Sequence, residues 1–539
     1  MARLLRPLAA LLVVAACSRS HDDKPADKEP VAEPAANGSP EARAHFDRGL
    51  VALHSFWYDE AEREFQAAID ADRAFAMAYW GLAMSKSPLL WGGDRVDEAR
   101  AILARLPHPD RLSPRDQAWV QAARTLFGAT DLYSSRRAFA AAMEEVHERF
   151  PDDESATFLA AALLARMRPG DPDEAAVRER AGALAAEVFA RDPKHPGAAH
   201  YLIHAYDTAA LAARALPAAR AWATIAPEAP HARHMPAHVF ARLGLWKEAI
   251  ASCQAAWDAS LAAAARHRLG ADHRDLHSLS WLVEMNFELG HRRAADAALE
   301  LFAGAVQDGL SRENRTAYIN QVASYLVRTG DWKRADPLLA VLDAPAADAG
   351  DPQSSIMQVF ERRAISSTRA RAAAGLRDVR ATDKWIGAVR AVDAQLHEVL
   401  AQSQPPEMVA RQEQENERTL RALLARARGD QRALLAVLQE MDTSDPDPPG
   451  EVGLSASILR ESVADVFLAL GRAGEALAAY EAVVRDHPGR AHSMLGAARA
   501  AKRAGKPDIA RTWYARLAEQ WSEADEGTDG LAEVRARAR

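Results

Sequence analysis

Only two cysteines, Cys17 and Cys253, occur in 539 residues, so no disulfide framework holds this chain together. Aromatic residues make up 6% of it, and runs of β-branched residues are sparse, which argues against a sheet. Past the first 16 residues, no apolar run is long enough to cross a bilayer as a helix. Basic and acidic residues are nearly balanced, 67 against 75, with no basic stripe or tail, so nucleic acid is not an expected partner. There is no G-x-S-x-G elbow, no Walker-type phosphate loop and no C-x-x-C-H haem attachment. Gly92-Gly93-Asp94 is a turn signal and no more. No catalytic residue is assigned, and the expectation leans away from an enzyme.

What is present begins with MARLLRPLAALLVVAACSRS. Arg3 and Arg6 precede a short apolar run that closes with Val14-Ala15-Ala16-Cys17. That pattern resembles a bacterial lipobox, which implies a signal peptide over 1–16 and lipidation at Cys17. Residues 17–41 are polar and proline-rich, suited to a flexible tether. The expected setting is the cell envelope, anchored to a membrane by the lipid and facing the periplasm. Ser18, where an inner-membrane retention signal would carry Asp, points to the outer membrane in a cell that has two. With Cys17 acylated, no intramolecular disulfide forms and packing alone stabilises the body.

Ala, Leu, Arg and Glu recur at helical spacing almost throughout, which predicts an all-α chain. A longer period lies over that spacing. Gly244, Ala249, Cys253 and Ala256 repeat as Gly290, Ala295, Leu299 and Phe302, then as Gly330, Ala335, Leu339 and Leu342. Near the C-terminus come Gly471, Ala476, Tyr480 and Val483, and then Gly505, Ala510, Tyr514 and Leu517, with Ala476 and Ala510 34 residues apart. Residues 44–73 carry Ala61, Phe65 and Ala68 in the same phase, and weaker units fall at 75–106, 113–151, 154–193 and 196–227. The logic is physical: glycine turns the chain between two helices, a small Ala lets them cross closely, and a large residue four later fills the gap.

This 34-residue helix-turn-helix signature resembles the tetratricopeptide repeat, and the resemblance implies an α-solenoid of stacked hairpins. The whole mature chain is similar to a group of bacterial tetratricopeptide-repeat proteins sharing the segments HSFWYDEAEREF, HPGAAHYLIHAYD and HMPAHVFARLGLW. That likeness implies a fold and a compartment but no activity. The expected layout is a solenoid over 42–343, a divergent helical segment over 354–440, a repeat pair over 453–522 and a polar, fraying tail over 523–539. Loops rich in Pro, Gly and Asp at 344–353 and 443–453 separate these parts.

Nine of the 18 histidines fall between 195 and 277. In the repeat register, His200, His204 and Asp207 take positions 5, 9 and 12 of one helix A. His234 and His238 take 5 and 9 of the next, and His277 and Glu284 take 2 and 9 of the third. The resemblance implies that these positions line a concave groove, with Arg242 and Asn320 nearby. The expected function is a scaffold that binds a protein or peptide in that groove, with a metal-binding protein or metal-dependent enzyme as the alternative. For the histidines themselves three readings stay open. The rings can be satisfied by internal hydrogen bonds. The set His200, His204, His238, Arg242, Glu284 and Asn320 can bind a protein or peptide partner in the groove, the usual work of such repeats. Or His200, His204, Asp207, His234, His238 and His277 can supply ligands for a transition metal, Zn or Cu, since imidazoles at i and i+4 chelate one ion. His200-Tyr-Leu-Ile-His204 lacks the Glu of a zinc-peptidase helix. Pro236 is expected to start a helix, leaving His231 and His234 in a loop. Phe56-Trp57-Tyr58 is expected at a turn, packed between repeats, and Cys253 as a buried apolar filler.

Overall fold

A computed structural model describes residues 38–538, except 91–92, 129–130, 169–170, 223, 350–354, 402–405 and 442–453. Cys17, the leader, most of the tether and the 443–453 seam lie outside the described residues. Among those described, every regular element is an α-helix or a short 3₁₀ turn, and no helix is long and apolar enough to cross a membrane. The chain is all-α and is built from stacked helix hairpins of the tetratricopeptide type.

It divides into two compact units. The N-terminal unit runs to Phe240 and includes Asp258–Ala263. Its hairpins are α1 (Pro40–His54) with α2 (Tyr58–Ala71), α3 (Ala76–Met84) with α4 (Val96–Ala104), and α5 (Pro114–Leu126) with α6 (Leu132–Arg149). Next come α7 (Asp153–Ala165) with α8 (Glu174–Arg191), and α9 (Pro196–Tyr206) with α10 (Ala212–Trp222). Two short helices follow, α11 (Pro230–His234) and α12 (Pro236–Arg242). The weak repeats at 75–106, 113–151, 154–193 and 196–227 thus each hold one helix pair. Local chemistry sets the starts: Ser39 and Ser113 accept the amide hydrogens of Ala42 and Asp116, each with proline at the first helical position.

The second unit holds Ala241–Trp257 and Ala264 onward. Part of α13 (Trp246–His267) leads into α14 (Leu276–Glu288), α15 (Arg292–Gln307), α16 (Arg312–Thr329) and the short α17 (Ala335–Leu339). After the 344–349 loop come the long helices α18 (Ser355–Gly375), α19 (Val379–Leu400) and α20 (Pro406–Arg428), and then α21 (Gln431–Glu440). Last are α22 (Leu454–Ala469), α23 (Ala473–Asp486), α24 (Ala491–Arg503), α25 (Pro507–Gln520) and α26 (Leu531–Arg537). The repeat signature works as its chemistry requires. Gly244, Gly290, Gly330, Gly471 and Gly505 all turn the chain at φ between +66° and +76°. Ala476 and Tyr480 are buried to 0% and 1% exposure, and a Cβ on Gly496 would sit 2.4 Å from the Tyr480 ring.

Helices pack mostly on their sequence neighbours, but each unit also turns back on itself. In the N-terminal unit α9 packs on α1. In the second, α14 meets α24, and Glu288 carries that junction. Its carboxylate accepts the Ala491 amide at 2.6 Å and pairs with Arg490 at 3.3 Å. Its carbonyl accepts from the Gln520 amide at 2.6 Å and the Trp521 indole at 3.0 Å. Arg490 in turn pairs with buried Glu461 at 2.6 Å. The tail corrects the expectation of fraying. Its helix α26 buries Leu531 and Val534, and Glu533 accepts from Tyr514 and Arg499, so its polar residues are spent on docking.

Candidate functional site

Helix α9 is the centre of the N-terminal unit. His195 caps it, its ring nitrogen accepting the Ala198 amide, with Pro196 behind it. Every α9 residue except His204 is buried. The helix can be enclosed so fully because Gly197 has no side chain. A Cβ there would lie 2.5 Å from the imidazole of His54, at the end of α1. That close approach brings His54 and the turn after it, 146 residues away in sequence, onto His200.

Three histidine ε-nitrogens converge at this junction. His204 Nε2 lies 3.0 Å and His231 Nε2 3.1 Å from His200 Nε2, and the three nitrogens all fall within 4.8 Å of one another. His200 Nδ1–H donates to the backbone carbonyl of His54, which fixes the tautomer and leaves the Nε2 lone pair turned toward the other two rings. The His200 ring stacks on Trp222 of α10 at 5.3 Å and 9°, and Phe56 meets it edge-on at 4.4 Å. Burial, and after it the neighbouring His204, push His200 well below its ordinary pKa. Burial and then His231 do the same to His204. Both rings are therefore neutral near pH 7, the form in which imidazole donates a lone pair.

Phe56 occupies a telling position. Counting five residues back from Ala61, it falls where the other strong repeats have their turn glycine, and it adopts φ +53°. A non-glycine residue there costs about 1–2 kcal/mol. Its ring lies 4.4–5.7 Å from those of His200, His204 and His231. The aromatic turn, expected only to pack between repeats, thus walls the histidine cluster.

Behind His54 lies a buried acid. Glu154 of α7 meets His54 Nε2 at 3.0 Å and His195 Nε2 at 3.4 Å, while His54 Nδ1 meets the Tyr201 hydroxyl at 2.9 Å. Burial would raise the Glu154 carboxyl, but His54 and His195 outweigh it and hold it far below the carboxylate range. Burial would likewise lower His195, and Glu154 reverses this to raise it.

A second arrangement adjoins the first. His234 Nε2 and His238 Nε2 stand 2.9 Å apart, and His238 Nδ1–H donates to Asp207 Oδ2 at 3.0 Å. Asp207, 1% exposed, follows the end of α9. It therefore orients a histidine through the ring's far nitrogen.

The expected residues fare unequally. His200 and His204 come together as expected, and they are joined by His231, which sequence reading had left in a loop. Pro230 instead starts the short helix α11 and carries His231 and His234 with it. His277 stands exposed beside Trp281 on α14 of the second unit. Among the groove residues, His200, His238, Arg242 and Glu284 are at most 6% exposed. Glu284 accepts from Gln321 at 2.8 Å, and Asn320 is half-buried on α16. His54, Phe56 and Glu154 were missed. The one available signal was Phe in a glycine's place.

No known protein family matches the sequence, and no curated protein matches it. Among solved structures, the chain is similar to yeast Tom70, at 12% identity over 92% of this chain and 94% of that one, with a TM-score of 0.30. It is also similar to the human IFIT1 dimer with m7Gppp-AAAA, at 14% identity over 90% and 94%, with a TM-score of 0.33. The P58(IPK) TPR domain aligns at 16% identity over 72% and 98%, with a TM-score of 0.21. Likenesses this distant leave ligand and partner open.

Proposed function

We propose that this repeat protein binds a transition metal ion, of the zinc or copper class, between His200, His204 and His231. The observation that carries the reading is the meeting of three ε-nitrogens with His200 locked through Nδ1. An imidazole nitrogen has one in-plane lone pair, so His200 Nε2 can accept one good N–H bond and not two. Two rings aimed at that single lone pair suit a shared cation better than a pair of competing hydrogen bonds. The spacing agrees. Ligands about 2.0–2.1 Å from a tetrahedral ion stand roughly 3.3 Å apart, close to the separations here. The carbonyl behind His200 is the kind of outer partner that holds metal-bound histidines.

The same proposal keeps the lipid anchor at Cys17 and places the metal centre in the cell envelope, tethered to a membrane on its periplasmic face. A protein or peptide partner, the other role expected of such a frame, would have to meet exposed faces. His200, His238, Arg242 and Glu284 are too deeply buried to reach it.

The test is elemental analysis of residues 18–539 beside a His200→Ala/His204→Ala variant whose folding is checked by circular dichroism. Near-stoichiometric metal in the parent, lost from the folded variant, supports the reading. A metal-free parent that takes up neither Zn²⁺ nor Cu²⁺ sinks it.

A further inference from the structure

Resting on that reading, we infer that the centre is dinuclear and that His234 and His238 hold a second divalent ion of the same imidazole-seeking class. The two histidines repeat the arrangement of the first site. Their ε-nitrogens face each other at 2.9 Å, and one ring is fixed through its δ-nitrogen, here by the Asp207 carboxylate at 3.0 Å. A carboxylate bound to the far nitrogen of a histidine raises that ring's basicity toward a metal and sets its direction.

Both sites come from the same short pieces of chain. Helix α9 gives His200 and His204 to the first, and Asp207 at its end orients the second. Helix α11 gives His231 to the first and His234 to the second, with ring centres 6.4 Å apart. A buried carboxylate bonded to His238 suits a centre of positive charge. The pair offers two nitrogens against three at the first site, so the second ion takes the rest of its shell from other donors and binds more weakly than the first.

The experiment is a Co²⁺ and Zn²⁺ titration of residues 18–539, with bound metal counted after removal of excess, against two variants. His234→Ala/His238→Ala removes the ligands. Asp207→Asn keeps the volume but weakens the orienting acceptor, so Asp207 is tested as a positioning residue. The parent should take up two equivalents in a tight and a weaker class. The double variant should keep only the tight one. Asp207→Asn should weaken the second class by about 10–100-fold and leave the first unchanged. A parent saturating at one equivalent overturns the second site, as does a second equivalent that survives the double variant with its affinity intact. If that single equivalent vanishes in His200→Ala/His204→Ala, the first site stands without the second. A parent that binds nothing ends both.

Discussion

Replacing Phe56 with glycine sets two effects of opposite sign against each other. Phe56 sits at φ +53°, where the other strong repeats have glycine, so the substitution relieves about 1–2 kcal/mol of backbone strain. It also removes a ring that is 8% exposed and packed against His200, His204, His231 and Tyr201. Truncating a buried Phe costs about 3–5 kcal/mol. The expected net is a loss of about 2–3 kcal/mol. With a urea slope of about 3 kcal/mol per molar, at the upper end for a unit of this size, the midpoint falls by roughly 1 M. Arg377 supplies the matched control. It has φ +59° in the turn between α18 and α19 but is exposed, so Arg377→Gly relieves the same strain with little packing to lose. Its unit should hold its midpoint or gain a few tenths of a molar, about 1 kcal/mol of stability. Urea unfolding of parent and variants, followed by circular dichroism, reads both. If Phe56→Gly raises the midpoint as Arg377→Gly does, the turn is an ordinary one and the ring does not support the cluster.

Other outcomes follow from the same packing. Glu154→Gln leaves His54 and His195 without their buried charge partner and should cost about 3 kcal/mol in urea unfolding; an unchanged midpoint would contradict the network. The wild-type pair also predicts a pH window. His195 is raised, so its share of stability is full below 6.5 and is lost as pH rises through its higher folded value, a loss absent from Glu154→Gln. In the second unit, burial would raise Glu461, but Arg490 outweighs it and brings the carboxyl from 4.5 down to about 2. Its contribution, present above 4.5, should fade as pH falls toward 2 by about 3 kcal/mol, and Glu461→Gln should flatten that slope in acid-unfolding curves. Cys253 is fully buried and its thiol is pushed well above its usual pKa, so residues 18–539 should resist Ellman's reagent until unfolded.

The hairpins were legible because their signals are local. A turn glycine, an Ala five residues on and a large residue four after that all act within one helix pair, so Gly471, Ala476 and Tyr480 declare themselves without knowledge of the rest. The register also placed His200 and His204 on one face of a helix, and their ε-nitrogens lie 3.0 Å apart. What it missed is how that inner face is filled. A simple solenoid touches only its neighbours and leaves the concave side open, but here α1 packs on α9 and α24 meets α14. Positions expected to line a groove, His200 and Glu284 among them, become interior. That return packing depends on Gly197 admitting His54 across 143 residues, a coincidence of shapes that no spacing rule records. His231 was misplaced for a smaller reason. A helix starting at Pro236 suggests a loop before it, whereas Pro230 starts a short helix of its own.

The most direct measurement is zinc K-edge X-ray absorption on zinc-loaded residues 18–539. The proposed centre predicts a nitrogen shell at about 2.0–2.1 Å with the outer-shell pattern of imidazole, reduced when His231 is changed to Ala. An oxygen-only shell, or a spectrum unaltered in His200→Ala/His204→Ala/His231→Ala, would contradict it.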